Sequence, residues 1–264
     1  MRNAIKNGEI IRECDAMVPI TSRAVQYSFS IYEALRITDG HIVHLDDHLA
    51  RLKNSARAIK LEMTSSDSEI ESWLGKLIQN DGIKDATARI LVIGGDYPAL
   101  FITYQDLLSY PASYYENGVK CDFYFGERFL PYAKTSNLLM SYIALEDAKA
   151  KGCFEALLVN RNGVITEGTR SNFYALSGNK MYTADDSLVL SGVTRIAVLK
   201  AAMELGLEVV LEPPKYDDIF YFDGVFISST SMAAMPVAEI AGKKVGMKAK
   251  DTILSIRDLV RKWE

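Results

Sequence analysis

The sequence predicts a two-domain chain, α+β in its first half and α/β in its second, on three observations. Stretches that alternate polar and apolar residues, rich in β-branched and aromatic types, interleave with stretches of helical period. Between Leu107 and Asn117 that periodicity is lost and Pro111 appears, which marks a linker. The 264 residues suffice for one large or two modest cores, and 48% hydrophobic with 24% charged residues is an ordinary globular composition. The expected division is a smaller domain over 1–113 and a larger one over 114–264.

The elements follow in order. Ile31 to Thr38 reads as a strand, turned by Asp39-Gly40 into a short second strand at His41 to Val43. Leu45, His48, Leu49, Leu52, Ala56 and Ile59 then recur at helical spacing, with Asp46 and Asp47 at the end where the helix dipole favours anions. Ser66 followed by Glu69 has the spacing of a capping box and opens a helix to Leu77. Strands at Ala88 to Gly94 and Leu100 to Tyr104 flank the turn Gly95-Asp96-Tyr97-Pro98. Beyond the linker come a strand at Val119 to Phe125 and a helix at Asn137 to Lys151. Two hairpins follow, Phe154–Val159 with Gly163–Thr166 and Asn172–Leu176 with Lys180–Thr183. A helix from Thr194 to Leu205 and a last strand at Gly224 to Ser228 complete the expectation.

Bulk properties exclude some partners. A net charge of -4 offers no clustered basic surface for nucleic acid or an anionic membrane. The start of the chain is polar, without the apolar core of a secretion signal, and no window approaches the apolar length of a membrane span. Cys14, Cys121 and Cys153 are widely spaced and odd in number, which fits a reducing compartment. A cytoplasmic protein is expected. His41, His44 and His48 lie close together, but no cysteine or carboxylate completes a known ligand spacing, so no metal is expected.

Certain residues suggest chemistry. A lysine that bonds an aldehyde cofactor must be accessible and partly deprotonated, and Lys134 lies in an extended segment just ahead of a predicted helix. By itself it reads as a surface lysine. Glu167 ends a strand at a glycine-containing turn, where a carboxylate can be buried; against a pyridine nitrogen it would keep that nitrogen protonated. Its plain alternative is a solvated turn acid. Gly192-Val193-Thr194 opens a helix whose unpaired amides suit a phosphate, although Thr194 as an N-cap explains the same residues. Arg51 brings a planar fork that matches phosphate, or is simply a solvent-facing helix charge. Ser229-Thr230-Ser231 follows an apolar strand and offers hydroxyl and amide donors, or is a polar loop.

Together these residues resemble the fold-type IV pyridoxal phosphate enzymes, the class IV aminotransferase family that includes branched-chain and D-amino acid aminotransferases and aminodeoxychorismate lyase. The resemblance spans Tyr27 to Gly242. It is carried by Tyr32-Glu33-Ala34-Leu35-Arg36 with Asp39-Gly40, His48-Leu49-Ala50-Arg51-Leu52, Lys134-Thr135-Ser136-Asn137, Glu167-Gly168-Thr169-Arg170-Ser171-Asn172, Ser191-Gly192-Val193-Thr194-Arg195, and Ser229-Thr230 ahead of Pro236-Val237. It implies two α/β domains with pyridoxal 5'-phosphate in the cleft between them, and a homodimer whose sites borrow residues from the partner. Lys134 would be the Schiff-base lysine and proton shuttle, and Glu167 the partner of the pyridine nitrogen. Arg51, the Val193 and Thr194 amides, Ser229 and Thr230 would hold the phosphate. Tyr32, Arg36 and Ser231 are the candidate substrate contacts.

The implied reaction is transamination between a small or hydrophobic amino acid, branched-chain or D, and a 2-oxo acid. Aminodeoxychorismate lyase, an (R)-selective amine transaminase and a cofactor-binding protein without turnover are the alternatives. Leu139 replaces a tyrosine common in branched-chain enzymes, while Arg36 matches their arginine. Pro98 is followed by Ala99, Leu100 and Phe101 instead of the arginine and histidine of D-amino acid enzymes. Ala34 stands where one common lyase type has threonine, and Ala233 where many relatives have glutamate. Arg36 and Arg89 are the charged candidates for the substrate carboxylate. Tyr27, Phe29, Ile31, Tyr32, Phe101 and Met232 line either an apolar pocket or the core.

Overall fold

The computed structural model describes residues 2–264. Its contacts form two units. One runs up to Leu108 and includes Ala133–Asn137; the other comprises Ser109–Tyr132 and Leu138–Glu264.

The first unit is a six-stranded antiparallel sheet with helices on one face. Its elements are β1 (Asn3–Lys6), β2 (Glu9–Arg12), α1 (Arg23–Tyr27), β3 (Ser30–Thr38), β4 (His41–Ile42), α2 (Leu45–Ala58), α3 (Asp67–Asp81), β5 (Ala86–Ile93) and β6 (Ala99–Asp106). The strand order is β2-β1-β6-β5-β3-β4. Alternation along β3 sends Ile31, Leu35 and Ile37 into one core with Leu49 and Leu52 of α2 and Leu74 of α3. Burying each such side chain contributes about 1.5–3 kcal/mol. Tyr32, Ala34 and Arg36 therefore point to the opposite face. The capping box is formed: Ser66 Oγ accepts from Glu69 N, and Glu69 Oε2 accepts from Ser66 N at 2.8 Å.

The sequence division puts Lys134 in the second domain, but its segment groups with the first unit. Tyr32 N donates to Lys134 O (3.1 Å), Ser136 N donates to Ser30 O (3.0 Å), and Ile31 bridges Thr135. The segment thus adds to the end of β3, and those pairings outweigh its place in the chain.

The second unit holds α4 (Ala112–Asn117), β7 (Val119–Phe125), α5 (Leu139–Ala150), β8 (Glu155–Val159), β9 (Ile165–Gly168), β10 (Asn172–Ser177), β11 (Lys180–Tyr182), α6 (Val193–Glu204), β12 (Glu208–Val210), β13 (Gly224–Ser228), β14 (Met235–Ile240), β15 (Lys243–Lys244) and α7 (Lys250–Lys262). The sheet runs β12-β11-β10-β13-β14-β7-β8-β9, and β9 also pairs β10. That extra pairing, Asn172 opposite Glu167, closes the path from β10 through β13, β14, β7, β8 and β9 into a ring. Leu157, Phe173, Val225, Ile227 and Val237 share one core of this unit, and α6 and α7 cover a second around Tyr174 and Phe226.

Several elements depart from expectation. Gly224–Ser228 is an inner strand between β10 and β14, not the last. The sequence of β14 begins Met235-Pro236, and a proline argues against a central strand. The linker contains the short helix α4. Among the described residues no helix is long and apolar enough to cross a membrane, and no group of three or more His, Cys, Asp or Glu is placed to hold a metal ion.

Candidate functional site

In the first unit, α2 presents His48, Arg51 and Ser55 on one face, three and seven residues apart. All three meet groups of β3 or the Lys134 segment. Glu33 is fully buried and receives Arg51 Nε on Oε1 and Arg51 Nη2 on Oε2, each at 2.7 Å, a bidentate pair. His48 Nδ1 lies 2.7 Å from the same Oε2. Burial alone would raise the Glu33 pKa, but the hydrogen bonds and charge of Arg51, with His48 and the charge of Lys134, bring it down to about 2. Burial pushes the His48 pKa down, assisted by the charges of Arg51 and Lys134 against the pull of Glu33. At neutral pH the ring is uncharged, and its Nδ1–H donates to the carboxylate. Ser55 Oγ donates to Arg51 O (2.9 Å) and accepts from Lys134 N (3.0 Å), tying the lysine's main chain to the arginine's helix.

The half-buried Lys134 has its Nζ 4.6 Å from the centroid of the Tyr32 ring, and Arg89 Cζ lies 4.2 Å from the same centroid. Two cations thus share one aromatic side chain. Arg89 pairs Ala34 in register, so Tyr32, Arg36 and Arg89 occupy the sheet face away from the helices. Arg36 Nε donates to Thr38 Oγ1 (3.1 Å).

In the second unit, Glu167 stands at the ring closure and is 4% exposed. Its Oε1 accepts from Arg128 Nη1 (3.2 Å) and its Oε2 from Leu190 N (3.3 Å). Asn172 organises the surroundings. It pairs Glu167 on one side and Ser228 on the other, and its Nδ2 donates to Leu190 O at 2.9 Å. A Cβ on Gly192 would fall 2.4 Å from Asn172 Oδ1, so any larger residue there would displace the Asn172 side chain. The 190–194 segment and the turn after β13 are thereby drawn toward Glu167. Beneath the 168–171 corner lies Glu155, fully buried, accepting from Thr169 Oγ1 (2.5 Å), Thr169 N (3.2 Å) and Ser171 Oγ (3.1 Å). Burial raises its pKa against those hydrogen bonds.

Thr194 is not the N-cap of α6. That position belongs to Gly192, which has no side chain to engage the first-turn amides. Among the described residues the Val193 and Thr194 N–H groups donate to no acceptor, and they lie at the end of a helix where the dipole favours an anion. Arg195 anchors the helix start, donating to Thr183 Oγ1 (2.7 Å), Ala184 O (2.6 Å) and Asp186 Oδ1 (3.0 Å). Ser229, Thr230 and Ser231 form a tight turn in which Met232 N and Ala233 N both return to Ser229 O.

Of the residues singled out in the sequence, Arg51, Lys134 and Tyr32 meet in the first unit, while in the second Asn172 pairs Glu167 and Ser228, the residue before Ser229, and lies against Gly192, the residue before Val193 and Thr194. Ile31 and Met232 are core residues, not pocket walls. Sequence reasoning gave no role to Glu33, Ser55, Arg128, Glu155 or Leu190. Glu33 could have been found: a carboxylate at an inward-facing position of an apolar strand demands a buried cation.

A family model for amino-transferase class IV matches residues 30–240. The chain is 31% identical to a D-alanine aminotransferase of Bacillus licheniformis, covering 92% of this chain and 90% of that protein. It is 28% identical to the branched-chain-amino-acid aminotransferase of Escherichia coli strain K12, covering 91% and 85%. Among solved structures it superposes on the T.th. branched-chain amino acid aminotransferase with pyridoxamine 5'-phosphate at a TM-score of 0.92 and 24% identity, over 99% of this chain and 93% of that one.

Proposed function

We propose, from the premise that this chain belongs to the class IV aminotransferase family, that it transfers the amino group of a small or hydrophobic amino acid to a 2-oxo acid. Membership makes it a pyridoxal phosphate-dependent aminotransferase with the two-domain fold of fold-type IV enzymes. The substrate class rests on similarity to enzymes named for D-alanine and for branched-chain amino acids.

The residues present fit the cofactor. A half-buried lysine shares an aromatic ring with a second cation, a buried carboxylate is held by Arg128 and a main-chain amide, and a helix begins without a side-chain cap. When bound, pyridoxal phosphate supplies an electron sink for the negative charge that develops at the substrate Cα. Lys134 would be the covalent attachment point, and its Nζ would move the proton at Cα. Glu167 would hold a proton on the ring nitrogen. Arg51, the Val193 and Thr194 amides, Ser229 and Thr230 hold the phosphate, with Arg51 oriented by its bidentate pair to Glu33. Tyr32, Arg36 and Ser231 are the substrate contacts, with Arg89 beside them for a carboxylate.

The single observation that carries this reading is Lys134 beside Tyr32 and the Glu33–Arg51 pair. The purified protein is expected to absorb in the visible, and borohydride to fix the cofactor on Lys134, read by peptide mass. Half-reactions with L- and D-amino acids, followed by loss of that absorbance, identify the donor. An unlabelled Lys134, or no response to any amino acid, refutes the proposal.

The active form is proposed to be a cytoplasmic homodimer. Phe125, Phe129, Leu139 and Tyr142 of the second unit are large apolar side chains exposed on the single chain, which suits a surface covered by a second copy. The three cysteines are unpaired, consistent with a reducing compartment.

A further inference from the structure

The last turn of α7 carries Arg261, whose guanidinium reaches out of its helix to two successive carbonyls. Nη2 donates to Ser231 O at 2.6 Å and Nη1 to Thr230 O at 3.4 Å. Glu264 Oε2, 2.5 Å from Nη1, pins the group from the other side. The next carbonyl along, Met232 O, accepts from Tyr115 Oη at 3.2 Å, and Arg257 lies over the Tyr115 ring, 5.1 Å from its centroid. Three consecutive carbonyls of the turn after β13 are thus each held by a side chain from elsewhere in the unit.

A helical turn has N–H groups at one end and C=O groups at the other. A cation on the carbonyl end is stabilising, as at the C-terminus of a helix, and fixes the direction in which the peptide dipoles point. Among the described residues the amides of Thr230 and Ser231 donate to no acceptor, so the opposite end of this turn keeps its donors available. Without the guanidinium the turn would still close through Met232 N and Ala233 N onto Ser229 O. What it would lose is the anchor that sets where its amides and hydroxyls aim.

We infer that Arg261 is a positioning residue for the phosphate-binding turn Ser229–Ser231, holding the Thr230 and Ser231 carbonyls so that the donors at the other end meet the cofactor phosphate. This rests on the phosphate assignment proposed above. The contacts of Arg261 are to the turn's carbonyls, and it acts through the turn.

The test uses full-length protein stripped of cofactor and titrated with pyridoxal phosphate and with pyridoxal, which lacks the phosphate but keeps the aldehyde. Wild type is expected to prefer the phosphorylated form strongly. Arg261→Met should weaken pyridoxal phosphate binding about tenfold while pyridoxal binding changes by less than about twofold, so the preference itself collapses; a tenfold change corresponds to about 1.4 kcal/mol. A purely structural role would lower both affinities together, and that result overturns the inference, as does an unchanged preference. Arg261→Lys keeps the charge but reaches one carbonyl at a time, so its preference should fall between the two. It decides the same question if Arg261→Met does not fold. A wild type that does not distinguish the two ligands defeats the phosphate assignment and this role with it. A wild type that discriminates, beside an equally discriminating variant, defeats the role of Arg261 alone.

Discussion

Around Lys134, the first unit works with charged side chains that hold one another: Glu33 grips Arg51 through two hydrogen bonds, His48 shares the same carboxylate, and Ser55 links the arginine's helix to the lysine's main chain. Around Glu167, the second unit works largely with main-chain groups: the Leu190 amide, the uncapped start of α6 and a turn whose carbonyls are held from behind. The contrast teaches where each half is fragile. A side-chain network fails when one charge is removed or titrated. A main-chain site tolerates changes of side chain but depends on glycine where atoms crowd and on each N–H it presents.

The largest effects should come from the residues assigned to the reacting atoms. Lys134→Ala removes the proposed attachment point and proton carrier, and turnover should fall by at least about 10⁴-fold in a half-reaction assay. Glu167→Ala removes the charge that supports the electron sink, with an expected loss of about 10²–10³ in rate and the cofactor still retained. Wild-type turnover in either variant would remove the assigned role.

Next in size is the charge network itself. Glu33→Gln leaves the Arg51 guanidinium beside a neutral amide at a fully buried position and should destabilise the protein by about 3–5 kcal/mol in denaturant unfolding. Its pH dependence has a definite sign. The folded pKa, about 2, lies below the ordinary 4.5, so the ionised pair contributes its full stability above pH 4.5 and loses it as pH falls toward 2. The shift corresponds to roughly 3 kcal/mol across that window. Asp81, also brought down to about 2 by Asn3, Asn80 and Tyr104 against the effect of burial, is half-buried and titrates in the same range from the lower ordinary value of 3.8. Both variants should therefore flatten the acid slope, Glu33→Gln more than Asp81→Asn because its shift is the larger. A larger flattening by Asp81→Asn would mean that the Glu33–Arg51 pair is not the main source of the slope.

The same division explains what could be read from the sequence. Lys134 and Glu167 are legible because the residues around each follow in the chain: a Thr-Ser-Asn after one, a Gly-Thr-Arg-Ser-Asn after the other. The alternation of Ile31 to Thr38 marks β3, and the Ser66 and Glu69 spacing marks the start of α3, since both signals are local. The Glu33–Arg51 pair and the Arg128–Glu167 pair are not legible, because their partners are 18 and 39 residues apart and only the folded sheet brings them together. The placement of Lys134 with the first unit is hidden for the same reason. Thr194 misleads for a different reason. Threonine is a good N-cap, but Gly192 takes that position, with ψ at 137° and the helix beginning at Val193. For α7 a signal exists in the sequence, since Ile253, Ile256 and Val260 recur at helical spacing, yet the expected elements end before it, at Ser228.

The smallest predicted effects separate main chain from side chain at the start of α6. Val193 is the first helical residue, where proline is well tolerated because the amide it lacks has no partner within the helix. Gly192 before it has φ -68° and ψ 137°, a conformation that a following proline accepts. Val193→Pro should fold normally and lose one phosphate donor, weakening pyridoxal phosphate binding about tenfold, a hydrogen bond to a charged group being worth about 1.5–3 kcal/mol. Thr194→Val keeps the amide and the shape while deleting the hydroxyl, and should cost no more than about threefold if the amide is what binds, since losing a neutral hydrogen bond costs about 0.5–1.5 kcal/mol at most. Titration of both variants with the cofactor ranks them directly. If the valine variant proves the weaker binder, the hydroxyl is the phosphate ligand and the second unit relies on side chains as much as the first.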